Sequence, residues 1–326
     1  MINRHQKQPI FRVPVLLFTV ACLALGSEPG AFERTLSVSG PVKLDVRSDP
    51  GGVEIMTGSS DLVRIRALIK PLYGRLDLDL AEANICALVQ NPPIEQVGNT
   101  IRVGYPKDPA LLRAVTIHFE IEAPRTTQVQ AYTQSGGVRI AGITGPAEVK
   151  TTSGRTEITD VASEIKANGH SGAVVIRNAG GRVFVRTGSG GVELSNIEGA
   201  VEAETTSGRT EITRVVGETR STTQSGRIDA LQLGGSVHAQ SKSGAIRISQ
   251  TTPAPIRALT QSGAIQVTLA GGAGYNVDAQ SNSGKVSASL GQASRRPSNA
   301  HSFKAQVGPG GPLVDLDTHS SKIDID

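Results

Sequence analysis

Apolar residues alternate with polar residues along most of the chain, at the period of two that is typical of β-strands. The stretches "VKLDVR" and "LVRIRALI" near the beginning and "VTIHFEIEA" further on show this alternation clearly. Beyond residue 126 the alternation gains a fixed rhythm, because Ser-Gly pairs recur at a constant step of ~18 residues. These pairs begin at Ser135, Ser153, Ser171, Ser189, Ser207, Ser225 and Ser243, and two more follow after longer steps, at Ser262 and Ser283. Self-similarity at a fixed period predicts a solenoid, in which each repeat stacks on its neighbours.

The pattern within one repeat predicts two short strands for each coil. Counted from the Ser as place 1, places 4, 6, 9, 13 and 15 are mostly apolar, and place 11 is usually Gly. Two alternating segments separated by glycine corners account for this pattern. Parallel strands of successive coils lie ~4.8 Å apart, so each side chain should lie over its counterpart in the next coil. Inward places then bury small aliphatic side chains, and outward places carry Arg, Glu, Lys, Gln and Thr.

Other repeat architectures fit the pattern less well. Left-handed hexapeptide helices need an aliphatic residue at every sixth place, and calcium-binding rolls need a Gly-rich nonapeptide that does not occur here. The chain has no Trp, 4 Tyr and 6 Phe, which is consistent with a thin core of small residues. The predicted fold class is therefore all-β: a β-solenoid with coils of ~18 residues, preceded by a β-rich N-terminal segment with one short helix.

The chain divides into three predicted regions. Residues 1–26 are a signal peptide, residues 27–130 are the β-rich N-terminal segment, and residues 131–326 are the solenoid with a C-terminal cap. A helix is expected near residues 78–90, where apolar residues share one helical face and "NPP" follows. The predicted apolar face consists of Leu78, Ala81, Ile85 and Leu88.

The final part of the sequence departs from the constant rhythm of the repeats. Residues 295–311 are predicted to form a long loop before a last strand pair, "LVDLD" and "KIDID". We expect this strand pair to cap the open end of the stack, because an uncovered coil exposes unpaired strand edges.

Three features resemble a known family: "FERTLSVSGPVKLDV" after the signal segment, "VTIHFEIEAP" before the repeats, and the run of "SG-x-(V/I)-x-(I/V)" coils. On these features the chain resembles the putative adhesin family of exported bacterial proteins, a β-solenoid domain of unknown function. The resemblance covers nearly all of the chain beyond the signal segment, and its motifs are structural. It implies a non-enzymatic role at the cell surface or envelope, and it supplies no catalytic residues.

The net charge of +4 is concentrated at the beginning of the chain. Arg4, Lys7 and Arg12 precede the apolar run of residues 13–25, and residues 1–26 contain no acid, so the remainder has a charge near 4 − 3 = +1. This balance does not indicate nucleic acid as a partner.

One cysteine lies outside the signal segment. Cys86 has no second cysteine there with which to form an intramolecular disulfide, which suits a fold stabilised by repetition. Its apolar neighbours predict a buried and inert thiol.

Charged side chains at outward places form the first candidate binding surface. Place 5 carries Glu193, Glu211 and Asp229 on consecutive coils, and like charges ~4.8 Å apart repel one another. A Ca²⁺ ion would relieve this repulsion. Place 3, however, supplies Arg209 and Arg227 on the same face. We therefore expect an outward ladder in which charges compensate each other, and no metal site.

Two apolar residues at outward places form a second candidate surface. Val175 and Phe184 belong to one coil, and they predict either a small contact patch or a place where another segment packs. Ser189 lies in "TGSGGV", a nucleophile-like context, but it is one of nine equivalent serines and is interpreted as a corner residue. The histidines show no ligand spacing. The sequence thus predicts no catalytic residue, no metal site and no cofactor.

These observations favour a non-enzymatic, exported and monomeric β-solenoid that acts as a putative adhesin or as an envelope or surface binding scaffold. Its partner would be a protein or glycan of the periplasm or cell surface. One alternative is a carbohydrate-active β-helical enzyme, which the scarcity of Trp and Tyr on the repeats disfavours. The other is a structural polymer made by end-to-end stacking, which the atypical ends disfavour.

We predict that export removes residues 1–26. An apolar run of about 13 residues is short for a membrane span, and small residues precede Ser27. Mass spectrometry of the chain recovered from the envelope should give Ser27 as the first residue. A chain that keeps residues 1–26 would show a membrane anchor, and a fatty-acylated Cys22 would show lipoprotein processing.

Overall fold

The structure, a computed structural model, describes residues 30–72, 77–291, 293–295 and 299–326. The predicted signal peptide lies outside the described residues. The described residues form one α-helix, α1 (Leu78–Gln90), one short 3-10 turn (Pro109–Leu112) and 29 strands. In chain order the strands are β1 (Ala31–Ser37), β2 (Lys43–Ser48), β3 (Val53–Thr57), β4 (Leu62–Pro71), β5 (Ile94–Val97), β6 (Thr100–Val103), β7 (Val115–Ala123), β8 (Gln128–Ser135), β9 (Val138–Ala141), β10 (Ala147–Ser153), β11 (Thr156–Val161), β12 (Ile165–Ser171), β13 (Val174–Ala179), β14 (Val183–Ser189), β15 (Val192–Ile197), β16 (Val201–Ser207), β17 (Thr210–Val215), β18 (Thr219–Ser225), β19 (Ile228–Leu233), β20 (Val237–Ser241), β21 (Ile246–Gln250), β22 (Ile256–Thr260), β23 (Ile265–Thr268), β24 (Tyr275–Ser281), β25 (Val286–Ala288), β26 (Ala293–Arg295), β27 (Ser302–Val307), β28 (Leu313–Thr318) and β29 (Ile323–Ile325).

These strands form two long sheets, and each coil contributes one strand to each sheet. The first sheet has the order β1-β4-β7-β3-β9-β11-β13-β15-β17-β19-β21-β23-β29-β25. The second sheet has the order β26-β27-β24-β28-β22-β20-β18-β16-β14-β12-β10-β8-β2-β6-β5. The inward side chains of both sheets make one continuous apolar core.

The predicted solenoid is confirmed, with parallel strands in constant register from coil to coil. Ile158 is paired with Ile176, and Ile176 with Leu194, and all three side chains are fully buried. The sequence TSGRTEIT occurs at residues 152–159 and again at residues 206–213, and both copies form a corner and the beginning of the following strand. Side chains of equal place therefore lie directly above one another along the stack.

The stack begins with a coil that the sequence separates from the other coils. β2 and β3 pair in parallel with β8 and β9, although residues 58–127 intervene. Within that intervening segment β6 and β7 add one further parallel coil, and β4 and β5 add antiparallel strands. β1, which precedes β2 in the sequence, pairs antiparallel with β4. Both sheets run across residue 131, so the division into separate regions at that point stays a prediction.

The helix forms where the spacing predicts it, but its buried face differs from the predicted one. The side chain of Asp77 accepts a hydrogen bond from the backbone N–H of Leu80 and caps the first turn. Ala81 and Leu88 are buried as expected, whereas Leu78 is exposed. The prediction of a buried Cys86 is wrong, because Cys86 lies on the exposed face of α1.

Close stacking explains the glycine that follows each corner serine. A Cβ atom on Gly154 would lie 2.0 Å from the carbonyl oxygen of Gly136, one coil earlier. A Cβ atom on Gly244 would lie 1.9 Å from the carbonyl oxygen of Gly226. Real Cβ atoms do not approach an oxygen this closely, so only glycine allows successive corners to touch.

Place 8 is a second corner, which the sequence interpretation did not consider. Asp160, Asn178, Asn196, Arg214 and Gln232 occupy this place and have φ values of 56°, 56°, 57°, 56° and 58°. This left-handed backbone is uncommon for residues other than glycine, and Asn and Asp tolerate it best. The bend lets one strand continue around the edge of the core without a glycine.

A column of buried hydroxyl groups runs inside the second sheet and is interrupted once. Thr205 Oγ1 donates a hydrogen bond of 2.9 Å to Thr223 Oγ1 in the next coil. Gly169 takes the place of a threonine between Thr151 and Thr187. The hydroxyls of Thr151 and Thr187 are buried and have no hydrogen-bond partner among the described residues. The column therefore lacks one side chain at Gly169.

The predicted loop and C-terminal cap are arranged differently from the expectation. β28 lies between β22 and β24, and β29 lies between β23 and β25. The last strand pair is thus inserted one coil inside the stack and is not its cap. The outermost coil consists of β24 and β25, and the antiparallel strands β27 and β26 continue the second sheet beyond β24.

We predict that Gly169→Thr stabilises the protein. A Cβ atom at this position would meet Thr187 Oγ1 at 3.6 Å, which is an ordinary contact, and the backbone is not left-handed. Replacing glycine within a strand by a β-branched residue should raise the free energy of unfolding by about 1 kcal/mol. Denaturant unfolding monitored by circular dichroism measures this change.

Gly188→Thr is the matched control in the neighbouring strand. A Cβ atom on Gly188 would lie 2.7 Å from the carbonyl oxygen of His170, so the backbone must shift. This overlap should lower the free energy of unfolding by about 1–3 kcal/mol. Equal effects of the two substitutions would contradict the described packing of β12 and β14.

Candidate functional site

A continuous chain of ion pairs follows the outer face of the first sheet. Arg139 lies 3.3 Å from Glu54 and 3.5 Å from Glu157, one coil to either side. Arg177 lies 3.4 Å from Glu157 and 2.6 Å from Glu193. Each arginine thus bridges two carboxylates of neighbouring coils, which removes the repulsion that a column of acids alone would produce.

The predicted ladder residues continue this arrangement on the next coils. Arg209 Nη2 lies 3.3 Å from a carboxylate oxygen of Glu211 and 2.9 Å from Asp229 Oδ2, although the second contact lacks the alignment of a hydrogen bond. Arg227 Nε donates a hydrogen bond of 2.8 Å to Asp229 Oδ1. The structure therefore brings together Glu211, Asp229, Arg209 and Arg227, while Glu193 pairs with Arg177 instead.

Asp229 differs from the other acids of the ladder because it is buried. Only 1% of its surface is exposed, and the two arginine side chains that contact it cover it. Glu193 is exposed and Glu211 is half-buried. Asp229 is therefore a structural anchor of the ladder and not a group available to a ligand.

The outer face of the second sheet also interleaves charges of both signs. Arg186 lies 2.6 Å from Glu204 in the next coil, and Arg182 lies 2.7 Å from Glu202. His238 is half-buried on the same face. Burial lowers the pKa of His238, and the nearby Arg220 and Arg257 lower that pKa further. His238 is therefore neutral at pH 7 and adds no charge to this face.

The predicted apolar patch of Val175 and Phe184 is not formed. Val175 lies on the first sheet and Phe184 on the second, so the two side chains are on different faces. Val175 is buried between Glu157 and Glu193, because Arg177 bridges these two acids beside it. Phe184 is half-buried, and the Arg186 guanidinium lies 5.7 Å from its ring centroid.

Polar side chains at place 8 form a directed hydrogen-bond ladder along the second corner. Arg214 Nε donates to Asn196 Oδ1 at 2.5 Å, Asn196 Nδ2 donates to Asn178 Oδ1 at 2.8 Å, and Asn178 Nδ2 donates to Asp160 Oδ1 at 2.7 Å. The ladder starts at a group that only donates and ends at a carboxylate that only accepts. Hydrogen bonds in such a chain polarise one another, and the charged ends strengthen it.

The ladder forms one side of a groove with a volume of about 560 Å³, which we call the corner groove. Its apolar floor includes Val161, Ala179 and Ile197, which are buried. In two of the coils the residue that follows the floor residue is small, namely Ala162 and Gly180. The remaining lining residues are Arg125, Asp160, Asn178, Asn196, Glu198, Arg214 and Val216.

The sequence carried a signal for the corner groove that the interpretation missed. Asp160, Asn178 and Asn196 recur at the same place of three successive coils, and Gly142 holds this place one coil earlier. Asp, Asn and Gly are the residues that favour left-handed backbone. Their coincidence at one place would have predicted a corner with a polar ladder.

Among the described residues no three His, Cys, Asp or Glu side chains are placed to hold a metal ion. Ser189 stacks between Ser171 and Ser207 at the first corner, as its interpretation as a corner residue requires.

No helix in the described part of the chain is long and apolar enough to cross a membrane.

We predict that Asp229→Asn destabilises the protein more than Glu211→Gln does. The first substitution leaves Arg209 and Arg227 without their shared counter-charge, and both arginines are partly solvated, so the expected loss is about 1–2 kcal/mol. Glu211 has a single, exposed ion pair, and its loss should cost less than about 0.5 kcal/mol. Thermal and denaturant unfolding of both variants measure the difference. A larger loss for Glu211→Gln would contradict the structural role of Asp229.

Two solved structures show a distant similarity to this chain. A putative cell adhesion protein from Clostridium sporogenes ATCC 15579 is 11% identical with a TM-score of 0.24, over 90% of this chain and 98% of that chain. A putative adhesin from Bacteroides fragilis NCTC 9343 is 16% identical with a TM-score of 0.33, over 91% of this chain and 97% of that chain. No curated protein matches this chain.

A family model, in contrast, matches a large part of the chain. The family described as Toastrack DUF4097 matches residues 116–326, which include every coil from β8 onward. The match covers well over half of the sequence and agrees with the resemblance found in the repeat motifs. The chain therefore belongs to the Toastrack DUF4097 family.

Proposed function

We propose that the protein is an exported, non-enzymatic scaffold that binds an envelope or surface polymer along the corner groove. The observation that carries this proposal is the polar ladder of Asp160, Asn178, Asn196 and Arg214 beside an apolar floor. A concave surface with an apolar floor and a few placed polar groups is the usual form of a ligand site.

The groove is preorganised by the stack itself. Each ladder residue has a left-handed backbone, Asn178 and Asn196 are hydrogen-bonded to the coils above and below, and the end residues Asp160 and Arg214 are hydrogen-bonded to one neighbouring coil. A ligand that enters the groove therefore orders few additional side chains, which lowers the entropic cost of binding. Such rigidity suits a surface that must hold its partner without rearranging.

The ladder favours a ligand with repeated polar groups along its length. Asn178 and Asn196 each keep a second amide hydrogen and a second oxygen lone pair for a ligand, and these groups recur ~4.8 Å apart along the stack axis. Arg125 and Arg214 add positive charge, and Asp160 and Glu198 add negative charge. An extended peptide or a glycan chain with both donors and acceptors fits this pattern.

We predict that Ala162→Tyr abolishes ligand binding without loss of stability. Ala162 is exposed in the groove, so a tyrosine there fills the space over the floor. Binding should be screened on a panel of envelope polysaccharides and extracted envelope proteins. Gln240→Tyr is the matched control, because Gln240 is exposed on the outer face of the second sheet, away from the groove.

Two outcomes of this screen, and one outcome of cell fractionation, would overturn the proposal. Equal binding by the Ala162→Tyr and wild-type chains would exclude the corner groove as the site. Turnover of a polysaccharide in the panel would favour the enzymatic alternative. Recovery of the chain only from the cytoplasm would exclude a role in the envelope.

A further inference from the structure

The last strand pair occupies a slot between two coils that precede it in the sequence. We call residues 313–325 the inserted coil and residues 275–307 the cap. Val314 lies in register between Ile256 of β22 and Val277 of β24. The inserted coil is therefore hydrogen-bonded on both edges of both of its strands. Its inward side chains, all fully buried, are Val314, Leu316, Ile323 and Ile325.

The preceding chain is built to leave this slot open. The turn from β11 to β12 needs three residues, 162–164, to climb one coil. The turn from β23 to β24 has six residues, 269–274, and climbs two coils, because the inserted coil lies between them. These three extra residues account for the long step between Ser262 and Ser283.

The cap joins the stack only through the inserted coil, as far as the sheet pairing of the described residues shows. β24 pairs with β27 and β28, and β25 pairs with β29. Without the inserted coil, β22 and β23 would present unpaired edges on the stack, and β24 and β25 would present unpaired edges on the cap. Unpaired parallel edges of this kind are templates for a strand from another chain.

A short segment rich in glycine and proline, the hinge, leads from the cap into the inserted coil. The hinge, residues 308–312, has the sequence GPGGP. Gly308 and Gly310 have φ values of 55° and 80°, and Gly308, Pro309 and Gly311 are exposed. Glycine lets the backbone leave in more than one direction, and short hinge loops under strain favour exchange of the element that follows.

We propose that the inserted coil is an exchangeable element whose second partner is the same slot in another copy of this chain. In the exchanged dimer each copy places its inserted coil between β22–β23 and β24–β25 of the other copy. Every contact of the inserted coil is kept, including the ion pair between Arg257 and Asp315 at 3.5 Å, and only the hinge changes its path.

The order of folding favours exchange between copies. The inserted coil follows the cap in the sequence, so its slot must form or stay open until the final strands arrive. During this interval the slot accepts the inserted coil of any copy, because the register is set by the same apolar places. At high protein concentration a second copy therefore competes with the chain's own strand pair.

A disulfide test can detect the exchanged form directly. Leu259 and Asp317 are paired residues on outward places of β22 and β28, and paired Cα atoms of neighbouring parallel strands lie within disulfide range. One full chain carries Leu259→Cys and a second carries Asp317→Cys, both with Cys22→Ser and Cys86→Ser. The two chains are mixed, partly unfolded in mild denaturant at high concentration, refolded and oxidised.

The proposal predicts a dimer linked between residues 259 and 317 of different chains, identified by peptide mass spectrometry. A mixture that combines Gln240→Cys with Asp317→Cys is the control, because Gln240 pairs with Leu259 and lies two coils from Asp317. A control mixture that yields as much dimer as the matched mixture would overturn the proposal, since it would show contact without exchange.

A second measurement keeps the test decisive if the cysteine variants fold poorly. Wild-type chains with and without an affinity tag are mixed, treated in the same way and analysed by native mass spectrometry. Dimers that contain one tagged and one untagged chain are expected. The double variant Leu259→Cys/Asp317→Cys, oxidised while monomeric, locks the inserted coil in its own slot and should form none. Only monomers from the wild-type mixture, or dimers from the locked variant, would overturn the proposal.

Discussion

The contact between successive Ser-Gly corners is the constraint on which the rest of the structure depends. At the corners from Gly136 to Gly263 the position of a missing Cβ lies about 2 Å from the carbonyl oxygen of the glycine one coil earlier, as between Gly172 and Gly154, where the distance is 2.1 Å. This approach is possible only because the residue that faces the carbonyl oxygen has no Cβ atom. These corners therefore fix the register of their coils, and a shift by one residue would place a side chain in this contact.

Constant register turns single side chains into ladders. Equal places stack at the spacing of parallel strands, so Arg139 and Arg177 bridge acids of adjacent coils on one face. The same rule places Asn178 above Asp160 and Asn196 above Asn178 at the second corner. The polar side of the corner groove therefore does not depend on an inserted loop. It results from the stacking of Asp160, Asn178 and Asn196 at place 8 of successive coils.

Much of the fold could be predicted from the sequence, because the constant step between Ser-Gly pairs specifies the stacking directly. The inward residues Ile158, Ile176 and Leu194 follow from that step and from the alternation within each strand. The pattern predicts glycine at the corners but does not reveal its cause, because close stacking involves the neighbouring coil. The exposure of Cys86 also depends on which face of α1 packs on the sheet, and its neighbours in sequence do not reveal this.

The candidate sites were harder to predict, because they depend on where each place lies around the coil. Val175 and Phe184 share a coil, but the sequence does not show that they belong to different sheets. Asp229 has the same place as Glu211, yet two arginines bury it. The inserted coil leaves only a three-residue excess at the step that ends at Ser283, and such an excess is equally consistent with a longer loop.

Distances between spin labels along one ladder measure the stacking most directly. Place 16 lies outward on successive strands of the second sheet and includes Lys150, Glu204, Thr222 and Gln240. One label is placed at residue 150 and the second at residue 204, 222 or 240. These pairs are three, four and five coils apart, so the distances between their backbones should be ~14, ~19 and ~24 Å, respectively. Pulsed electron spin resonance should show distances that rise by equal increments in this order. Distances that do not increase with the number of coils would contradict the stacked solenoid and every ladder derived from it.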